Sequence, residues 1–250
     1  MKWSYRLGRI AGIDVNIHAT FALLIAWVLL THWLAGQTFN AAIGGLAFVT
    51  AIFGCVLLHE LGRARAARRF GIGTRDITLL PIGGVARLER MPEKPIQELW
   101  VALAGPAVNV AIAVALYAWL LLTHQLVPLS QLGVATGPFV ERLLAVNLLL
   151  IVFNVIPAFP MDGGRCVRAL HALRLEYAKA TRIAAGLGQV LAVGFVVLGL
   201  FSNPFLPLIG VFVWIGAATD SRYATLKAAF RGIPLQGALM RDVALLPCTA

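Results

Sequence analysis

Long apolar stretches separated by short polar segments dominate the hydropathy pattern of this chain. Six stretches approach the ~20 residues that an α-helix needs to cross a bilayer. They cover residues 17–34, 41–61, 99–122, 140–156, 183–200 and 204–219. The pattern predicts an all-α polytopic membrane protein with six transmembrane helices. No small-residue cleavage site follows the first stretch, so we interpret it as a helix and not as a signal peptide.

The composition agrees with a membrane protein and excludes several other classes. Apolar residues make up 60% of the 250 positions and charged residues only 13%. Average soluble domains contain about 45–50% apolar and about 25% charged residues. A disordered chain and a soluble globular enzyme are therefore excluded. The three cysteines are too few and too scattered for a disulfide framework.

Basic residues are distributed unevenly among the segments that connect the six stretches. Lysine and arginine lie before the first stretch and after the second, fourth and sixth, whereas residues 35–40, 123–139 and 201–203 contain none. Because positive charge stays on the cytoplasmic side, we expect a multi-pass protein of the cell membrane with both termini in the cytoplasm. This topology explains the formal net charge of +10 without a nucleic-acid partner.

Two connecting segments have sequence features of their own. Residues 77–80 and 85–88 flank a Pro-Ile-Gly-Gly turn and predict a small β-hairpin, which its apolar character places against the membrane. Residues 156–164 contain two prolines and two glycines, so we expect the fourth helix to be broken there. Irregular backbone at membrane depth persists only when it is buried in protein or lines a wet cavity.

Two acidic residues close to membrane depth carry the candidate chemistry. Glu60 follows His59 at the cytoplasmic end of the second helix, and Asp162 lies at the cytoplasmic end of the fourth. In a His-Glu-x-x-His helix, two imidazoles bind zinc and the glutamate is the general base. A third protein ligand from elsewhere completes such a site and leaves one position for water. Asp162 is well placed to be that ligand, so the sequence predicts a Zn²⁺ site.

With these motifs the chain resembles the site-2 protease family of intramembrane zinc metalloproteases. The resemblance implies that residues 1–220 form one six-helix domain that binds one Zn²⁺ and cleaves single-pass membrane proteins in regulated intramembrane proteolysis. The motifs that carry it are the segments 12–18, 59–60, 81–85, 104–109 and 154–164.

The same resemblance implies a role for individual residues. Glu60 would be the general base, and His59 and Asp162 would be zinc ligands. Asn154 would contact the substrate. The hairpin 77–88, with Gly83 and Gly84 in its turn, would align the substrate by strand addition.

Arg63 departs from the family pattern, which has the second zinc-binding histidine at this position. A guanidinium is always protonated and has no lone pair for a metal. Three accounts are open. The chain is an inactivated family member, or His18, Cys55 or Cys166 replaces the lost ligand, or Arg63 turns to the cytoplasmic surface and leaves weak activity.

The alternative function follows from the same substitution. Arg63 could pair with Asp162 or with Glu60, three residues earlier, and would then occupy the groups needed for catalysis. A chain of this kind would be an inactive pseudoprotease that binds membrane proteins, or a transporter-like protein.

The remaining expectations concern association and the C-terminus. Gly44, Gly45 and Ala47 in the second helix permit close helix packing, either within the chain or in a homodimer. Residues 221–250 are expected to form a cytoplasmic tail, in which 233–250 resemble the opening of a CBS domain.

Overall fold

A computed structural model describes residues 3–229 except 82, 91, 93, 126–131, 135 and 136. Helices predominate, and a small β-sheet accompanies them. The elements in chain order are β1 (Ser4–Ile10), β2 (Ile13–His18), α1 (Phe21–Leu34), α2 (Phe39–Arg69), β3 (Thr74–Leu80), β4 (Gly83–Leu88), α3 (Pro95–Leu122), α4 (Phe139–Val155), α5 (Asp162–Ala172), α6 (Tyr177–Phe201) and α7 (Phe205–Ala229). The segment 233–250, with its resemblance to a CBS domain, lies outside the described residues.

Three helices are long and apolar enough to cross a membrane, judged by length and composition over the described residues. They are α2, α3 and α6, and α1 is a shorter apolar helix. The sequence predicts three further crossings, and these stay a prediction. The predicted first stretch begins too early, because Ile17 and His18 are the last residues of β2. In residues 13–17 apolar and polar residues alternate, which is the period of a strand and not of a helix.

The four strands form one sheet in the order β1-β2-β3-β4. β1 pairs with β2 and β3 with β4 in antiparallel fashion, whereas β2 and β3 are parallel. The hairpin predicted around residues 77–88 is present as β3 and β4, but it is only half of the sheet. The expectation of an all-α fold with a lone hairpin is therefore corrected to a mostly helical fold with a four-stranded sheet.

One face of the sheet is apolar and packs on the helices. Ile17 of β2 lies opposite Tyr5 of β1 and opposite Leu79 of β3. Residues directly opposite each other in neighbouring strands share a face of the sheet. Ile17 and Leu79 pack with Phe21 of α1 and Phe53 of α2. This face is therefore turned toward the helices.

The other face of the sheet is polar. Asn16 of β2 lies opposite Arg6 of β1 and Thr78 of β3. On the same face Asp76 accepts a hydrogen bond from Asn16 Nδ2 at 3.0 Å and one from Arg87 Nε at 2.6 Å. Hydrogen bonding to Asp76 raises the pKa of the Arg87 guanidinium above its ordinary value. The sheet is thus amphipathic from β1 to β4.

The segment between α4 and α5 is buried in protein. α4 ends at Val155, and Ala158 and Met161 pack with Ala192 of α6 and Val213 of α7. Backbone that is not helical at membrane depth needs this kind of protein surroundings. The prediction that one membrane crossing is broken here stays a prediction.

Candidate active site

The side chains of His59 and Asp162 meet between α2 and the first residue of α5. His59 Nε2 lies 3.1 Å from Asp162 Oδ2, and both side chains are buried. Two donor atoms that share one zinc ion in tetrahedral geometry stand about 3.4 Å apart. The structure thus brings together two of the residues predicted from sequence, at a separation that suits two ligands of one metal.

Arg63 places a positive charge beside His59, Glu60 and Asp162. It lies one helical turn after His59, and its Nη1 is 3.4 Å from both carboxylate oxygens of Glu60. Its Nε is 3.4 Å from Oδ1 of Asp162. Both pairings considered for Arg63 are therefore present at once. The account in which Arg63 turns to the surface is wrong for this structure, because only 14% of its side chain is exposed.

The donor set as a whole does not fit a catalytic zinc ion. Such a site uses three protein ligands, and here the third place next to His59 and Asp162 holds a guanidinium, which cannot donate a lone pair. Among the residues that the structure describes, no three histidine, cysteine, aspartate or glutamate side chains are grouped so as to hold a metal ion.

The three residues considered as replacement ligands are engaged in other ways. His18 Nδ1 accepts the backbone N–H of Thr20 at 3.3 Å. Cys55 Sγ lies 3.4 Å from the side-chain nitrogen of Asn147. Burial raises the pKa of the Cys166 thiol to about 11. Within the described part of the chain, Cys166 is not grouped with His59 and Asp162 so as to hold a metal ion.

Helix α3 supports His59 through two residues that share one helix face. Asn109 Oδ1 lies 3.3 Å from Nδ1 of His59, which turns Nε2 toward Asp162. At Gly105 a Cβ atom would overlap the His59 ring, so only glycine leaves room for it. Sequence reasoning placed both residues in the 104–109 motif and gave Asn109 an interhelical hydrogen bond or a place along a substrate channel, but it linked neither residue to His59. The signal was their spacing of four residues, which places both on one face of a helix.

The edge strand β4 lies on α2 next to Glu60. A Cβ at Gly84 would come within 2.9 Å of Cγ of Glu60, so the absence of a side chain allows this approach. Gly83 has a φ of +138°, a conformation that favours glycine. The free edge of β4 in the described sheet therefore lies close to Glu60. Asn154, in contrast, donates its side-chain N–H to Leu150 of its own helix at 2.9 Å.

Two glycines fix the start of α5 and with it Asp162. A Cβ at Gly163 would overlap the carbonyl oxygen of Ile156 and come within 2.5 Å of that of Val155. A Cβ at Gly164 would come within 2.5 Å of the carbonyl carbon of Ala158. Because these neighbours are backbone atoms, they cannot yield as the end of a flexible side chain would.

We expect Gly163→Ala to lower the free energy of unfolding by about 1–3 kcal/mol, the usual cost of overpacking. The measurement is the Tm of the purified protein in detergent. The matched control is Gly186→Ala in α6, where an added Cβ meets nothing within 4 Å. Alanine has a higher helix propensity than glycine, by about 1 kcal/mol, so this control should keep or raise the Tm. Equal Tm values for the two variants would contradict the close contact at Gly163.

A buried ion pair joins α5 to α3. Arg168 Nε donates to Oε1 of Glu98 at 2.8 Å, and Arg168 Nη2 contacts the same oxygen. The guanidinium also lies over the rings of Phe159 and Tyr177, at 4.9 and 5.1 Å from their centroids. The pair therefore holds α5 against α3 and α6, six residues beyond Asp162. Its partners are 70 residues apart in sequence, and no local pattern indicated them.

The protein is thus of a class with long apolar helices, in which a histidine–aspartate pair and a neighbouring glutamate are buried together. The sequence model of Peptidase family M50 matches residues 47–141. The solved structure of a site-2 protease from Methanocaldococcus jannaschii matches with a TM-score of 0.62 and 36% identity, over 88% of this chain and 95% of that one. The chain belongs to the peptidase M50 family of site-2 proteases.

Sequence relatives agree with this assignment. A zinc metalloprotease from Methanocaldococcus jannaschii is 37% identical over 234 residues, which are 93% of this chain and 65% of that protein. Rip3 of Mycobacterium tuberculosis is 30% identical over 96% of this chain and 64% of its own length. Stage IV sporulation protein FB of Bacillus subtilis is 27% identical over 68% of this chain and 52% of its length. The chain thus spans just under two thirds of the first two relatives.

Proposed function

We propose that this chain is built as an intramembrane protease for single-pass membrane proteins, and that Arg63 keeps it from binding zinc and from hydrolysing its client. The observation that carries the proposal is the position of the guanidinium, 3.4 Å from carboxylate oxygens of both Glu60 and Asp162. One cation thereby engages the proposed general base and a proposed metal ligand. In this form the chain would bind a client without cutting it.

The free edge of β4 supports the binding of an extended client segment. Main-chain N–H and C=O groups at a sheet edge bind an added strand through backbone hydrogen bonds. A client strand added to β4 would pass close to Glu60, because Gly84 brings the two together. A transmembrane helix shields its own peptide bonds by hydrogen bonding, so a client would first unwind to pair with β4.

The proposed topology has six crossings of the cell membrane, with both termini in the cytoplasm. Its support is the parallel pairing of β2 and β3, between which α1 and α2 intervene. Two strands of one sheet lie on one side of a membrane, so an even number of crossings separates them. The basic segments after α2 and α5 favour the cytoplasm for that side.

The zinc content of the purified protein tests the proposal. We expect almost no zinc in the unchanged chain and close to one zinc ion per chain in Arg63→His. In that variant a neutral imidazole joins His59 and Asp162 and completes the usual set of three protein ligands. Arg63→Ala is the matched control, since it removes the cation without adding a ligand, and it should stay low. Nearly one zinc ion in the unchanged chain, measured by elemental mass spectrometry, would overturn the proposal.

A further inference from the structure

The outer strand β1 and Trp3, the residue just before it, carry large apolar side chains that remain exposed. Trp3 and Tyr5 are each 68% exposed and Leu7 is 63% exposed, and Ile10 is exposed as well. We name these four residues the β1 apolar row. Tyr5 and Ile10 share one face of the sheet, because they lie opposite Ile17 and Ile13 in β2. Trp3 continues the alternation, and Leu7 is the extra residue where the register shifts.

The β1 apolar row is turned to the same side as the helices. Tyr5 lies opposite Ile17, and Ile17 packs on Phe21 of α1 and Phe53 of α2. The side chain of Tyr5 therefore leaves the sheet in the direction of the helical domain. It is nevertheless exposed, and β1 is the outer strand of the described sheet.

The row begins next to the start of α1. Ala19, just before α1, donates its backbone N–H to the carbonyl oxygen of Trp3 at 2.8 Å. The exposed residues Leu23, Trp27 and Leu30 of α1 follow at helical spacing on one face. Trp3 therefore lies beside the start of a helix that also exposes apolar side chains.

The opposite face of β1 has the character of a surface in water. Arg6 and Arg9 lie opposite Asn16 and Asp14, and Arg6 Nη2 donates to Asp14 Oδ1 at 2.6 Å. Both arginine side chains are more than half exposed. β1 therefore separates an apolar face from a charged face, as a strand at a membrane–water boundary would.

We infer that the β1 apolar row lies in the interfacial layer of the leaflet in which α1 begins, and that lipid is what covers it. Tryptophan and tyrosine are enriched in this layer, where the ring contacts acyl chains and its polar group remains hydrated. Because Arg6 and Arg9 face away from the bilayer, the contact needs no anionic lipid. The bilayer surface thereby supports the edge of the sheet opposite β4.

Site-specific quenching in phosphatidylcholine nanodiscs that hold one chain tests this surface. An environment-sensitive fluorophore is attached to Tyr5→Cys or Ile10→Cys in a background in which the native cysteines are replaced by alanine. The matched controls are Arg6→Cys and Arg9→Cys on the opposite face of the same strand. Two quenchers are compared, a phosphatidylcholine with a doxyl group near the headgroup and aqueous iodide.

We expect the ratio of lipid quenching to iodide quenching to be several-fold higher at positions 5 and 10 than at positions 6 and 9. Iodide access at all four positions would show that the row is in water, and would overturn the inference. Protection of positions 5 and 10 from both quenchers would show that protein covers the row, and would overturn it as well. All four side chains are exposed, so their replacement leaves the packed interior intact.

Discussion

The Arg63→His variant is expected to cleave a transmembrane peptide that the unchanged chain leaves intact. The substitution removes the cation that engages Glu60 and Asp162. It also adds an imidazole one helical turn from His59, on the same face of α2. The donor set then matches the three-ligand pattern of catalytic zinc sites. The measurement is the release of fluorescence from a labelled single-pass peptide in proteoliposomes.

Glu60→Gln in the Arg63→His background separates a restored protease from a merely altered site. A general base contributes about 10²–10⁴-fold to a rate, so this double variant should lose that factor while it still binds zinc. Arg63→Ala controls for the loss of the cation alone and should not cleave. If Arg63→His binds zinc and Glu60→Gln leaves its cleavage unchanged, the role proposed for Glu60 is wrong.

Glu98→Gln is expected to destabilise the protein strongly, because it leaves the buried Arg168 guanidinium without a counter-ion. Removing one partner of a buried ion pair costs about 3–5 kcal/mol. For a chain of this size each kcal/mol lowers the Tm by about 2–4 °C, so the Tm should fall by about 6–20 °C. The measurement is thermal unfolding in detergent, followed by circular dichroism.

Two comparisons identify the cause of such a loss. In Glu98→Leu with Arg168→Met, both charges are replaced by apolar groups of similar size, and stability should largely return. Arg6→Ala breaks an exposed ion pair with Asp14 and should cost at most about 1 kcal/mol. A double variant as unstable as Glu98→Gln would show that the contacts of Arg168 with Phe159 and Tyr177, and not its charge, hold α5 in place.

Six of the seven helices and the two halves of the site were predictable because each has a local sequence signal. Apolar length identified the regions of α1–α4, α6 and α7, but not α5, which lies between two of the predicted stretches. The His-Glu pair and the Asp-Gly-Gly segment indicated Glu60, His59 and Asp162. The sequence indicated that the side chains of His59 and Asp162 come together. The distance between them depends on how α5 packs on the other helices, which the local sequence does not determine. The roles of these residues in catalysis stay predictions.

The strands β1 and β2 and the supports of the site had weaker signals. The alternation in residues 13–17 is short and adjoins an apolar helix, so the predicted helix took in its last residue, Ile17. The partners of Asn109 and Arg168 are 50 and 70 residues away in sequence. Such pairs arise from the packing of whole helices, and a single sequence carries no record of which helices meet.

The parallel pairing of β2 with β3 has a consequence for the order of events during synthesis. β2 ends at His18 and its partner begins at Thr74, with both α1 and α2 between them. At about 5–20 residues per second, the ribosome needs about 3–11 s to make residues 19–73. During that interval the inner edge of β2 has no strand to pair with. In the proposed topology, the sheet closes only after the hairpin of α1 and α2 has returned to its starting side. Formation of the sheet would then mark the completed insertion of both helices.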